Sequence, residues 1–222
     1  VAYNVMIEIK PMVGLVILAL IMIVMPVLLV KSFRFRLFNT SYRGLRFGFG
    51  GSIKAAYMNF LALPLLSLVT LYLLAPFTHQ RIKAYQVNNS RFGQTSFAFG
   101  AGAGSFYKVY FFAFLMIAVL VGALAYAGYT LYSGKIAAMP KNEANFMLIG
   151  FAVYGLLIAA SLLIVPYFIT RIQNLVWNNT SLGEHRFSSS MSARSMMWLM
   201  FSNFIAIILT LGLFKPFADI RM

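Results

Sequence analysis

The sequence predicts an all-α polytopic membrane protein: five transmembrane helices joined by short β-hairpin-like interfacial segments in an internally repeated pattern. Three observations predict it. Of the 222 residues 61% are hydrophobic and 10% charged, with a mean hydropathy of +0.83, whereas soluble domains run at about 45–50% apolar and about 25% charged. Every Asp, Glu, Lys and Arg falls outside five long stretches. The segments that follow those stretches share a motif. A disordered chain is excluded as well, because aromatic residues make up 16%.

The five stretches are 11–30, 55–80, 109–134, 144–170 and 195–214. About 20 helical residues cross a hydrocarbon core of ~30 Å. Backbone groups in lipid must be bonded within their own segment, so each run is expected as a helix. The expected spans are about 11–30, 55–76, 109–132, 146–168 and 195–214, in one integral membrane domain over 1–222. The chain begins at Val1 rather than Met and is expected to be a piece of a longer protein.

The repeated segments are 26–50, 76–100, 166–190 and a truncated copy at 216–222. The first runs from Pro26 and Lys31 through Asn39-Thr40-Ser41-Tyr42-Arg43-Gly44 to Phe47-Gly48-Phe49-Gly50. The second has Pro76, Arg81, Asn88-Asn89-Ser90-Arg91-Phe92-Gly93 and Phe97-Ala98-Phe99-Gly100. In the third stand Pro166, Arg171, Asn178-Asn179-Thr180-Ser181-Leu182-Gly183 and Phe187. The fourth keeps Pro216 and Arg221. Pro26 and Pro166 lie 140 residues apart, as do Pro76 and Pro216, and Thr70-Leu71 with Leu73 recurs as Thr210-Leu211 with Leu213. This reads as an internal duplication.

Each proline is expected near the end of a span, where its missing N–H does least harm. The basic residue five positions on complements a helix C-terminus and can reach lipid phosphate. Ser32-Phe33-Arg34-Phe35-Arg36-Leu37-Phe38 alternates aromatic and basic residues, which is a strand pattern. Asn39, Asn88 and Asn178, with Gly44, Gly93 and Gly183, supply turn chemistry, so each unit is expected as a β-hairpin at the membrane surface. The three asparagines also fit the N-glycosylation pattern, but their recurrence at one place favours a turn role.

The 18 Lys and Arg against 4 acids give a formal charge of +14. In a chain of this composition they point to anionic membrane lipids, and to other membrane subunits, rather than to nucleic acid. Lys31, Arg34, Arg36, Arg43, Arg46, Arg81, Arg91, Arg171, Arg186 and Arg221 are the expected headgroup or partner contacts. Oligomeric state has no signal here.

The run Ser32–Arg36 through Asn39–Phe47, with Asn174-Leu175-Val176-Trp177-Asn178 and Thr210-Leu211-Gly212-Leu213-Phe214, resembles the YjgN-like family of bacterial inner-membrane proteins, built around a domain of unknown function. The resemblance covers essentially the whole chain and implies an inner-membrane location. Family members carry a further N-terminal copy of the motif and often have Trp after the motif proline, where Phe77, Tyr167 and Phe217 stand here. The family offers no catalytic residues.

Catalysis is not expected. The acids Glu8, Glu143, Glu184 and Asp219 lie outside the charge-free runs, and no cysteine is present for a disulfide, thiolate nucleophile or cysteine-ligated metal. His185 beside Glu184 reads as surface, since neighbours on a strand face opposite ways. Gly100-Ala101-Gly102-Ala103-Gly104 lacks the Lys-Ser/Thr of a phosphate loop. No cofactor is expected. The remaining readings are a non-catalytic scaffold or accessory subunit, and a transporter or channel. Three spans between Pro26 and Pro166 make the halves inverted if every run crosses, as in many transporters. Strict alternation places 10 Lys and Arg on one side and 8 on the other, with the 31–54 loop cytoplasmic and 77–108 outside. A competing layout keeps all hairpins on one side, with 55–80 and 195–214 re-entering; Pro64 in the former would permit it.

Overall fold

The computed structural model describes residues 11–133 and 143–221. Expectations about Glu8 and the side chain of Glu143 lie outside the described residues. Two compact units result, one from residues up to Phe106 with Val176–Phe187, the other from Tyr107–Leu175 with the chain from Ser188 on.

In the first unit, helix α1 spans Pro11–Phe38. It contradicts two expectations. Pro26 is not at a helix end but inside, fully buried, and the Tyr57 hydroxyl donates to the Ile23 carbonyl in the turn the proline loosens. Ser32–Phe38 is not a strand but the continuation of α1. Phe33 and Leu37, four apart, share a helical face and pack on the buried cluster of Val30, Phe49, Ala56 and Tyr85. A short alternation does not override a helix already propagating from Pro11.

Hairpins follow where the motif predicts them: β1 (Ser41–Tyr42) with β2 (Leu45–Phe49), β3 (Ser90–Phe92) with β4 (Thr95–Phe99), and β5 (Thr180–Leu182) with β6 (His185–Arg186). The hairpins are not separate. All six strands form one antiparallel sheet in the order β1-β2-β3-β4-β5-β6, joined by Phe47↔Phe92 and Phe49↔Ser90 and by Phe97↔Leu182 and Phe99↔Thr180. This pairing overturns the alternating layout, because segments 31–54 and 77–108 hydrogen-bond to each other and cannot stand on opposite sides of a bilayer.

The register also corrects the asparagines. Phe47 N–H donates to Thr40 O and Phe187 N–H to Thr180 O, while Gly50 N–H reaches Asn89 O and Gly100 N–H reaches Asn179 O. Asn39 therefore corresponds to Asn89 and Asn179, not to Asn88 and Asn178. Asn39 and Asn89 close the preceding helices, their Nδ2 donating to Phe35 O and Tyr85 O, and Asn88 Oδ1 accepts from Phe99 N–H. The tight turns are Arg43-Gly44, Gly93-Gln94 and Gly183-Glu184. Arg43 and Gly44 both take positive φ (51° and 78°), as a type I′ turn requires, whereas Gly93 and Gly183 (58° and 59°) hold the first central position.

Between β2 and β3 the chain forms a helix–turn–helix. Helix α2 (Ile53–Val69) contains one π turn at Met58–Ala62. Pro64 has no N–H for the Phe60 carbonyl, and the ladder shifts so that Leu63 N–H reaches Met58 O. Pro64 does not end the helix. The break comes at Thr70, where Tyr72 N–H donates to Ser67 O and Leu71 N–H to Leu68 O, a Schellman closure. Leu71 and Tyr72 both sit at positive φ (50° and 64°), a strain of about 1–2 kcal/mol per residue. Pro76 then occupies the first turn of α3 (Ala75–Asn88), a favoured proline position. Across the two helices, the buried Ser67 and Thr78 hydroxyls hydrogen-bond to each other at 2.7 Å, and one of the two donates on to Leu63 O, which lies within reach of both.

Helix α4 (Ala103–Ser133) starts after β4 and α5 (Glu143–Asn178) ends before β5. In the second unit Tyr110 of α4 meets Phe168 of α5 edge-on at 4.9 Å. Pro166, like Pro26, is buried inside its helix. Asn174 pins the returning chain, donating to Met191 O and accepting from Ser189 Oγ and Met191 N–H. Helix α6 (Ala193–Leu209), capped by Ser192, and α7 (Lys215–Arg221) form another helix–turn–helix. Its tip has the same Schellman bonds, Gly212 N–H to Ile207 O and Leu211 N–H to Ile208 O, with Leu211 at φ 51°. Asn203 replaces the hydroxyl pair: its Nδ2 donates to Ala218 O and its Oδ1 accepts from Arg221.

Among the described residues three helices are long and apolar enough to cross a membrane, within Met12–Phe38, Ala103–Tyr126 and Val153–Asn178. Of the five expected spans these three are seen; the other two runs fall in the shorter apolar helices Ile53–Val69 and Ala193–Leu209. Large apolar side chains cover the helices without protein over them, including Leu20, Ile21, Phe111, Phe114, Val119, Phe151 and Leu157. Water is not a tolerable solvent for a surface of that extent.

Candidate functional site

Side chains alternate along the strands, so the sheet has two unlike faces. One carries a ladder of rings: Phe47 lies 4.8 Å from Phe92 and 6.4 Å from Phe97, which lies 6.0 Å from Phe187, itself 5.5 Å from Trp177. Phe49, on the same face, packs at 5.3 Å on Phe33 and 5.7 Å on Tyr85. Burial raises the pKa of Tyr85, whose phenol donates to Ser52 O at 3.0 Å.

The opposite face follows from the cross-strand pairs Ser41↔Arg46, Gly48↔Arg91, Arg91↔Ser96, Ala98↔Ser181 and Ser181↔Arg186. It presents three arginines among small residues. Two of them, Arg46 and Arg91, join Arg34 of α1 around a cleft of about 570 Å³, with Phe35, Phe38 and Gly48 in its walls. Arg34 Nη2 donates to Gly51 O at 2.9 Å, and the Arg46 guanidinium lies 5.0 Å over the Phe38 ring. A Cβ at Gly48 would stand 2.6 Å from Arg91 Nε, so the glycine lets that side chain lie across β2. Among the described residues of this unit the one carboxylate is Glu184, in the β5–β6 turn.

The structure thus gathers Arg34, Arg46 and Arg91 and disperses the other expected contacts. Arg81 and Arg171 lie over Phe77 and Tyr167, four residues earlier on their helices, at 5.1 and 5.5 Å. Arg43 folds over Tyr42 in its turn, and Arg221 binds Asn203. Arg186 shares the basic sheet face outside the cleft. Lys31 and Arg36 are exposed on α1. Sequence reasoning missed Gly48, Phe35 and Phe38 as parts of a site. A signal existed for Gly48: the residue between the paired phenylalanines is small in both Phe-Gly-Phe and Phe-Ala-Phe. Glu184 and His185 lie at the β5–β6 turn, and among the described residues no three His, Cys, Asp or Glu cluster as metal ligands.

A helical membrane protein with a basic β-layer built from the links between its helices is the class these features define. The chain belongs to the family described as bacterial protein of unknown function (DUF898), which it matches over residues 1–222. It is 23% identical over 252 residues to the inner membrane protein YjgN of Salmonella typhimurium, an alignment covering 95% of this chain and 64% of that relative's length. No solved structure matches. Together with the apolar helices, this places the chain in the bacterial inner membrane.

Proposed function

We propose that the chain is a non-catalytic inner-membrane scaffold or accessory subunit whose sheet forms a basic layer on the cytoplasmic leaflet, in contact with anionic lipid. The single sheet carries this reading. Because β2 and β3 pair, the α2–α3 unit between them leaves the sheet and comes back to it; α4 and α5 likewise go out and return between β4 and β5. In this layout α1, α4 and α5 cross, whereas α2–α3 and α6–α7 dip into the bilayer, tips first. The tips fit that medium: Leu71, Leu73, Leu211 and Leu213 are all exposed.

Charge supports the same layout. Among the described residues only Lys215 then lies away from the sheet side, leaving 14 of the 15 described Lys and Arg on it. Such a bias marks the cytoplasmic face; strict alternation left no clear bias. The inverted-repeat case for a transporter requires every charge-free run to cross, which this layout does not assume.

Single cysteines replacing Arg43, Gln94 and Glu184, all exposed in the three turns, test this in a chain with no native cysteine. A membrane-impermeant maleimide should label all three on inverted vesicles and none on intact spheroplasts. Labelling of Gln94→Cys from the side opposite to Arg43→Cys would refute the layout.

A further inference from the structure

We infer that the cleft between the last turns of α1 and strands β2–β3 is a binding site for the phosphate of an anionic phospholipid. The inference rests on the sheet lying at the membrane surface and assigns the headgroup one place on it. Three guanidiniums, from Arg34, Arg46 and Arg91, line one cleft of about 570 Å³. Each offers five N–H donors in a planar fork suited to phosphate oxygens. Arg34 uses one donor on Gly51 O, and Arg46 is held by the Phe38 ring, so both stand in place before a ligand arrives. Arg91 lies across Gly48, where any side chain would displace it.

The non-arginine walls select a lipid over a free anion. Phe35 and Phe38 are 71% and 60% exposed at the rim, apolar surface that a soluble phosphate would leave in water. The charge-free run of α1 ends at Val30. At 1.5 Å per residue, Arg34 to Phe38 lie roughly 6–12 Å beyond it, at the level of headgroups and glycerol. The ring faces would lie against the glycerol and first methylenes, with the phosphate between the arginines.

The test uses the whole chain in neutral detergent, with dioleoylphosphatidylglycerol and dioleoylphosphatidylcholine as probes and native mass spectrometry as the readout. The wild-type chain should retain one phosphatidylglycerol in preference to phosphatidylcholine. R46Q/R91Q should weaken retention at least about tenfold, since each charge-assisted bond lost costs about that factor. G48A should weaken it severalfold with no change in charge, because the new methyl displaces the Arg91 side chain. R186Q, on the same sheet face but outside the cleft, should bind like the wild type. Equal losses in R186Q and R46Q/R91Q would overturn the assigned site and leave diffuse attraction, with the labelled topology unaffected. Complete displacement of the lipid by millimolar glycerol 3-phosphate would overturn the lipid assignment in favour of a soluble phosphate ester. Size-exclusion elution matching the wild type shows that each variant is folded.

Discussion

Introducing cysteines at Ala98 and Ser181 provides a direct test of the sheet. These residues are a cross-strand pair of β4 and β5, on the basic face and separated in sequence by α4 and α5. Paired residues in an antiparallel ladder have Cα atoms about 4.5–5.5 Å apart, inside the ~7 Å limit for a disulfide. Were the two segments on opposite sides of the bilayer, a ~30 Å core would separate them. The native chain has no cysteine, so no other pair competes. Mild oxidation of membranes carrying A98C/S181C should give a monomeric cross-link, seen as two fragments held together until reduction after cleavage between them. A98C/L182C shifts the register by one, turns the second thiol to the aromatic face, and should cross-link far less. Absence of a cross-link in A98C/S181C, with both thiols reactive to maleimide, would refute the six-stranded sheet and everything argued from it.

Phe49→Ala removes the ring shared by Phe33 and Tyr85 in the buried cluster, and should cost about 3–5 kcal/mol in denaturant titrations of the detergent-solubilised chain; exposed Phe35→Ala should stay within about 0.5 kcal/mol. Thr78→Val deletes one hydroxyl of the buried pair while Ser67 keeps Leu63 O as acceptor, so the expected loss is about 1–2 kcal/mol, read in the same titration. Gly93→Ala meets only Leu45 methyls at 3.7 Å, an ordinary contact, so its cost of about 1–2 kcal/mol should come from φ +58° alone; Gly104→Ala, with open space and ordinary φ, should cost nothing comparable.

What the sequence by itself determined is everything that local composition can carry. Charge-free runs of about 20 residues require a membrane whatever their neighbours do. The hairpins are legible because Gly44, Gly93 and Gly183 each sit where a two-residue turn needs positive φ. Alternation in Leu45–Phe49 and Thr95–Phe99 separates rings from arginines and small residues. The same local reading failed at Ser32–Phe38, whose alternation also fits a helix that packs Phe33 and Leu37 together. It failed again at the prolines, where one motif serves two structures: Pro26 and Pro166 inside long helices, Pro76 and Pro216 at the start of short ones.

Only the tertiary structure decided which charge-free runs continue and which turn back. A run such as 55–80 is apolar enough for either course, and its Schellman turn uses Leu71 and Tyr72, neither of them a residue that announces left-handed backbone. The joining of three hairpins into one sheet is likewise invisible in any window of sequence. Its hydrogen bonds link residues tens of positions apart, and nothing local records whether Arg91 will meet Gly48. Partner choice in a sheet is settled by non-local pairing, and that pairing brings segments 31–54 and 77–108 together and assembles the arginine cleft.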